Sequence, residues 1–214
     1  LCVRGSCNTR RQRGAVTSAA GGATGTVTTP AAEVKAVSAT AAGTGITQTQ
    51  AVTASSGGVA DAALSTVVVS QATMNANGAD ATTVTVTARD AQGNLAAGLN
   101  VVLSVSGTGN TLTQPVAGTN AAGVATGTFV TTVAEAKTVS ATAAGTGITQ
   151  TPGVTAQVGA VNVAQSTVAL SQTTMTANDG DATTVTVTAL DAFGNGGGAP
   201  SGGLVESGAG VPGL

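Results

Sequence analysis

Thirteen residues, VSATAAGTGITQT, occur twice letter for letter, at 37–49 and at 139–151. Their surroundings repeat as well. Residues 17–49 match 119–151 at 25 of 33 positions, and 65–94 match 166–195 at 22 of 30. The offsets, 119 − 17 = 102 and 166 − 65 = 101, define a unit of about 101 residues. That is too long for a solenoid rung or a propeller blade, which run at roughly 20 to 50 residues. It suits a whole two-layer β-sandwich of about 100 residues. The 214 residues then hold one complete unit, 59–160, and two partial ones. Residues 15–58 read as the C-terminal half of a unit, and 161–195 as the N-terminal part of a further one. Residues 1–14 form a basic leader that matches nothing in the repeat and is expected to be disordered; 196–214 form a Gly-rich tail.

Within the complete unit, apolar residues recur with period two, the period of a half-buried strand. In DATTVTVTARD the alternation places Val84, Val86 and Ala88 on the core face and Thr83, Thr85 and Thr87 on the other. LNVVLSVS does the same with Leu99, Val101, Leu103 and Val105, TVSATA with Val139, Ala141 and Ala143, and the last strand with Val154, Ala156 and Val158. STVVVS supplies a first strand from Ser65, and a less regular one is expected near 111–117. The inward set of VATGTFVTTV is not assignable, because Gly127 marks a candidate bulge. The DAQGN stretch at 90–94 is a turn, where Gly and Asn tolerate positive φ and Asp binds its own backbone. About seven strands, turn signals every 8–12 residues and no helical period point to an all-β Greek-key sandwich.

Composition limits the chemistry. The chain has no His, Trp or Tyr, and charged residues make up 7%, so Ser or Thr nucleophiles have no imidazole to activate them. Glu33, Glu135 and the other acids form no catalytic pair, and no catalytic, cofactor-binding or metal residue is assigned. A net charge of −2 gives no reason to expect nucleic acid. Arg4, Arg10, Arg11 and Arg13 lie together in the leader and read as a solvated segment rather than a basic arm. Cys2 and Cys7 lie there too; two cysteines make neither a zinc site nor a disulfide scaffold, only a small-loop bridge at most. The turn carboxylates Asp80, Asp90, Asp179, Asp181 and Asp191 suggest calcium ligands, with 178–181 the first place to look. No EF-hand spacing accompanies them, and turn chemistry accounts for Asp beside Gly and Asn. The rows Thr83, Thr85, Thr87 and Thr184, Thr186, Thr188 would suit surface or ice binding only if repeated on adjacent strands; they are read as a solvated face with Thr–Thr pairs. GNGGGAPSGG lacks the Lys and the following helix of a phosphate loop. Of the two aromatics, Phe129 is expected in the core, and Phe193 supplies no sugar-binding platform.

The stretches STVVVSQATMNANGADATTVTVTARDAQGN and STVALSQTTMTANDGDATTVTVTALDAFGN, with TNAAGVATGTF, carry a resemblance. They resemble the bacterial Ig-like domains of the invasin and intimin group, in particular invasin domain 3 or Big-1 repeats. Shared features are the Ser-Thr-Val strand, the NGAD or NDGD entry turn and the Asp-x-x-Gly-Asn turn at Asp90, Gly93 and Asn94 and at Asp191, Gly194 and Asn195. They span about 15–195. The resemblance implies tandem immunoglobulin-like sandwiches in an exported, non-catalytic stalk of an adhesin, supporting cell adhesion at the bacterial cell surface (outer membrane) or outside the cell. Its implied partners are the neighbouring repeats, with a host receptor or surface polysaccharide met through other domains, no nucleic acid, and a membrane met only through an anchor elsewhere. After Asn195 the family's Pro-Val-x-Gly is replaced by the Gly-rich tail, and both ends read as truncated or misread coding sequence.

Two other readings have distinct signatures. A ligand-binding module would use Arg89, Gln92 and Asn94 without cost to thermal stability; an accessory domain would accompany a secreted enzyme. Each partial unit lacks the sheet that covers its apolar face and is expected to be mobile or aggregation-prone, or to pair with the other partial unit in a permuted domain.

Overall fold

The computed structural model describes residues 2–4, 9–11, 18–178 and 180–197, and among them there is no helix. The first copy contributes β1 (Cys2–Arg4), β2 (Thr9–Arg11), β3 (Thr26–Thr28), β4 (Val34–Ser38), β5 (Thr40–Ala41), β6 (Thr44–Gly45) and β7 (Gln50–Thr53). The central copy contributes β8 (Thr66–Val69), β9 (Thr73–Asn75), β10 (Thr82–Thr87), β11 (Val101–Val105), β12 (Asn110–Thr113), β13 (Val124–Thr131), β14 (Ala136–Ala143), β15 (Thr146–Gly147) and β16 (Gly153–Gln157). The third contributes β17 (Thr167–Leu170) and β18 (Val185–Thr188).

The central copy is a sandwich of two sheets, ordered β8-β10-β13-β12 and β11-β14-β16-β9. In immunoglobulin terms the first is ABED and the second CFG, with the opening strand crossing between sheets. Its first part, β8, pairs antiparallel with β10; after a bend its second part, β9, pairs parallel with β16. The core lies between the sheets. Val67, Val84, Val86 and Phe129 enter it from one side, and Val101, Leu103, Val139, Ala141, Val154 and Ala156 from the other. The period-two reading therefore holds for these strands. Val158 is only half-buried, because β16 ends at Gln157 and its pairing with β9 ends there.

The irregular strand is shorter than its sequence suggests. It stops at Thr113, and the next residue turns its side chain onto an edge. Leu103 N–H donates to Gln114 Oε1 and Gln114 Nε2 donates to Leu103 O, both at 2.8 Å. One amide thus pairs two backbone groups on the free side of β11, the outermost strand of its sheet.

Gly127 marks no bulge. β13 pairs residue for residue with β10, from Val124 opposite Thr87 to Phe129 opposite Thr82, so its inward set is Ala125, Gly127, Phe129 and Thr131. Glycine is required here by crowding. A Cβ on Gly127 would lie 2.6 Å from Leu103 Cδ1 and 2.5 Å from the carbonyl oxygen of Thr113. Gly127→Ala is expected to lower the unfolding free energy by about 2 kcal/mol in urea titration, because the carbonyl cannot move aside.

The leader overturns its sequence reading. β1 pairs with β4 and β2 with β3, so the described leader residues are strands rather than disordered chain. Val3 lies opposite Val37 as Val105 lies opposite Val139, and Arg10 opposite Val27 as Leu112 opposite Phe129. Both ladders keep the 102-residue offset without a gap. Under that offset Leu1, Val3, Gly5, Asn8, Thr9, Gln12 and Ala15 are identical to their counterparts in 103–118. Residues 1–58 thus correspond to 103–160. The physical reason is the edge of β4, whose backbone groups need a partner that an extended segment in this register supplies. The small-loop cysteine pairing (Cys7) and most of the Gly-rich tail lie outside the described residues.

Candidate functional site at the joint between repeats

The Asp-x-x-Gly-Asn turn after β10 does more than reverse the chain. Asp90 Oδ1 accepts from the N–H groups of Gln92 (3.0 Å) and Asn94 (2.9 Å), and Gly93, at φ 81°, closes the turn by donating to Asp90 O. The other side of the same residues faces the preceding repeat. Gly57 N–H donates to Asp90 Oδ2 at 3.0 Å. Asn94 Nδ2 donates to Pro30 O at 2.8 Å, and Ala32 N–H donates to Asn94 Oδ1 at 2.9 Å. Asn94 Nδ2 also lies 3.0 Å from Asp90 Oδ2, which fixes the amide orientation.

The second joint repeats the first bond for bond. Asn195 Nδ2 donates to Thr132 O and Ala134 N–H donates to Asn195 Oδ1, each at 2.9 Å. Gly159 N–H donates to Asp191 Oδ2 at 3.0 Å. The loop being gripped differs in sequence, Pro30-Ala31-Ala32 against Thr132-Val133-Ala134. The contact survives because the asparagine reads main-chain N–H and C=O groups, which every such loop presents. Phe193, which takes the place of Gln92, adds its ring near Gly78 of the central copy.

Both aspartates are nearly fully buried. Burial by itself pushes the Asp191 carboxyl up, but the Asn195 side chain and the N–H groups of Gly159, Asn195 and Phe193 outweigh it and bring it down to about 2. Asp90 follows the same logic: burial raises it, and Asn94, Gly57 and Gln92 hold it below the ordinary carboxylate value.

An ion pair between a buried lysine and a half-exposed glutamate buttresses the gripped loop. Lys137 is inward-facing on β14 and nearly fully buried; its ammonium pairs with Glu135 and donates to Thr108 O at 2.6 Å. Glu135 also accepts from Thr108 N–H at 2.8 Å, and the lysine hydrogen bond and this one hold its carboxyl below the usual range. The first copy repeats the pair as Lys35 and Glu33. A lysine at a core position escapes a pattern search, since period two assigns such positions to apolar residues.

The other sequence candidates fall elsewhere. Asp80 accepts from Asn75 N–H (2.7 Å) and Gln71 Nε2, and Asp181 from Thr176 N–H and Gln172 Nε2, bonds that lower both carboxyls. No group of three or more metal-ligating side chains occurs among the described residues; Asp179, beside Asp181 in sequence, lies outside them. Thr83, Thr85 and Thr87 do have neighbours of their own kind: Thr128 and Thr126 on β13 and Thr66 on β8 face them across the sheet. Such cross-strand pairs each contribute roughly 0.2–1 kcal/mol. Phe129 is in the core. Arg89 Nη1 donates to Gly93 O at 2.8 Å, and Asn94 is held in the joint.

Residues 64–157 match the family model of the bacterial Ig-like domain (group 1). Among solved structures, InvD of Yersinia pseudotuberculosis is 26% identical with a TM-score of 0.57, over 77% of this chain and 52% of its own. The Escherichia coli adhesin FdeC is 26% identical with a TM-score of 0.54, over 79% and 52%. Invasin, described as a bacterial integrin-binding protein, is 21% identical with a TM-score of 0.57, over 79% and 34%, a likeness of fold. The chain thus spans about half, or a third, of the length of these proteins. No curated protein matches it by sequence.

Proposed function

Since residues 64–157 are a bacterial Ig-like domain of group 1, we propose that this chain is a non-catalytic spacer, a stalk segment of an exported, adhesin-like bacterial surface protein. One observation carries the reading: the same two-residue clasp joins successive repeats twice, 101 residues apart. An active site is needed once, whereas a clasp that grips main chain can be copied along a row of modules. The two joints of the central copy lie at opposite ends of β13, because the Asp90–Asn94 turn follows Thr87, opposite Val124, and the gripped loop follows Thr131. Eight strand residues span about 26 Å, so each module adds a fixed step between its neighbours. Receptor contact then belongs to other parts of the parent protein, in keeping with a chain that covers about half of InvD and of the adhesin FdeC.

The test separates reach from binding. With the chain placed between a surface anchor and a terminal binding module, deleting 59–160 is expected to reduce capture of a recessed ligand and leave capture of an exposed one unchanged. Soluble chain is expected not to compete for adhesion; inhibition by it would overturn the spacer reading in favour of a binding module.

A further inference from the structure

β11 is the outermost strand of its sheet, and its sequence, VVLSV, carries none of the usual protection of an edge. No charged residue occurs between Asp90 and Glu135, and the strand holds no proline. An uncharged, β-branched segment of this kind is a template for pairing with another chain. Asn100 O and Ser106 N–H bond across to Ala144 and Thr138. Bonding direction alternates along an antiparallel ladder, so the main-chain groups of residues 99, 101, 103 and 105 turn to the free side.

The chain after β12 crosses this edge as a strap pinned at two points. One pin is Thr119, which is buried. Leu99 N–H donates to Thr119 Oγ1 at 3.0 Å, and Thr119 N–H donates to Leu99 O at 2.9 Å. The other pin is the Gln114 amide, which takes both main-chain groups of Leu103, the middle residue of β11. Between the pins Val116 is fully exposed. The two pins differ in kind: Thr119 is held by its own backbone, whereas Gln114 holds by one exposed side chain. Other outer strands receive a lighter cap. Val67 N–H on β8 donates to Gln150 Oε1 at 2.9 Å, and Asn75 N–H on β9 donates to Asp80 Oδ2 at 2.7 Å. The guarding glutamine recurs in the sequence as Gln12, at the 102-residue offset.

We propose that Gln114 is an edge guard: its amide occupies the place where β11 of a second copy of this chain would pair. Two β11 strands laid antiparallel with Leu103 opposite Leu103 put Val101 opposite Val105, each pair exchanging both of its hydrogen bonds. The same edge serves on both sides, so the contact is isologous and closes at a dimer. With the amide in place, Leu103 has no free donor or acceptor to offer, and the strap lies over the edge. Without it, the strap keeps only the Thr119 pin and the middle of the strand is open. The guard thus keeps neighbouring chains separate where they stand at high local concentration.

Gln114→Leu keeps the bulk of the side chain and removes both bonds. In sedimentation of the 214-residue chain between about 1 and 100 µM, its average mass is expected to rise toward a dimer at concentrations at least about tenfold below any at which the parent chain associates. Hydrogen exchange of the 99–106 segment is expected to be faster than in the parent when the variant is dilute, and to slow again when it is concentrated. Val102 and Ser104 are exposed on β11, and the two-fold pairing sets 102 of one chain opposite 104 of the other. Adding Val102→Lys and Ser104→Lys to Gln114→Leu places like charges directly across that pair and is expected to restore the parent's mass. A Gln114→Leu chain no more associated than the parent would show that the edge is closed without the amide. A lysine-bearing variant that still associates would show that the contact lies elsewhere. Either result overturns the inference.

Discussion

Phe129→Ala is expected to lower the unfolding free energy of the central copy by about 4 kcal/mol, the range for truncating a buried aromatic. Phe129 is 1% exposed and is the one aromatic of a core made otherwise of Val, Ala, Leu, Ile and Met. These smaller side chains leave little volume to collapse into the gap. Native domains hold only about 5–15 kcal/mol in total, so the variant should be partly unfolded near 37 °C. Urea titration followed by circular dichroism would measure the loss. The first copy carries Val27 at this position, so Phe129→Val should cost less than the alanine change. Equal losses for both variants would mean that the ring is not what fills the core.

Asp90→Ala should act at two levels. It removes the acceptor for the N–H groups of Gly57, Gln92 and Asn94 and for the Asn94 amide. Donors left unpaired cost about 1–3 kcal/mol each when water cannot replace the partner; with the turn at a repeat boundary, a total of about 3 kcal/mol is expected. The joint should loosen as well. Distances between spin labels at residues 48 and 126, with Cys2 and Cys7 replaced by serine, should broaden at least twofold relative to the parent. An unchanged distribution would show that the linker alone sets the angle between repeats.

The same carboxyls set a pH window. A carboxyl whose folded value is lowered contributes stability above its unfolded value, here 3.8 for Asp191, and loses it as pH falls through the folded value of about 2. The joints should therefore hold unchanged from neutral pH to about 4 and slacken between there and about 2. In Asp90→Ala the first joint should lose this dependence while the second keeps it.

The strands of the leader carry no alternating pattern. Arg10 and Arg11 stand where the central copy has Leu112 and Thr113, and Arg4 and Cys2 where it has Ser106 and Ser104. These substitutions erase the period-two signal and make the segment read as solvated. The 102-residue offset nonetheless runs to Leu1 without a gap, and it is the register that the β1–β4 and β2–β3 ladders display.

The sequence by itself determined the β class, the length of the unit and the inward faces of most strands. These follow from local physics, since β-branched residues favour the pleated chain and side chains alternate about it. Only the tertiary structure decided what the polar residues do. Asn94 grips backbone groups 62 and 64 residues away, and Lys137 carries its charge to a carbonyl 29 residues away. Main-chain donors and acceptors are the same at every non-proline position of a sequence, so which of them a side chain meets is set by the packing of one repeat against the next.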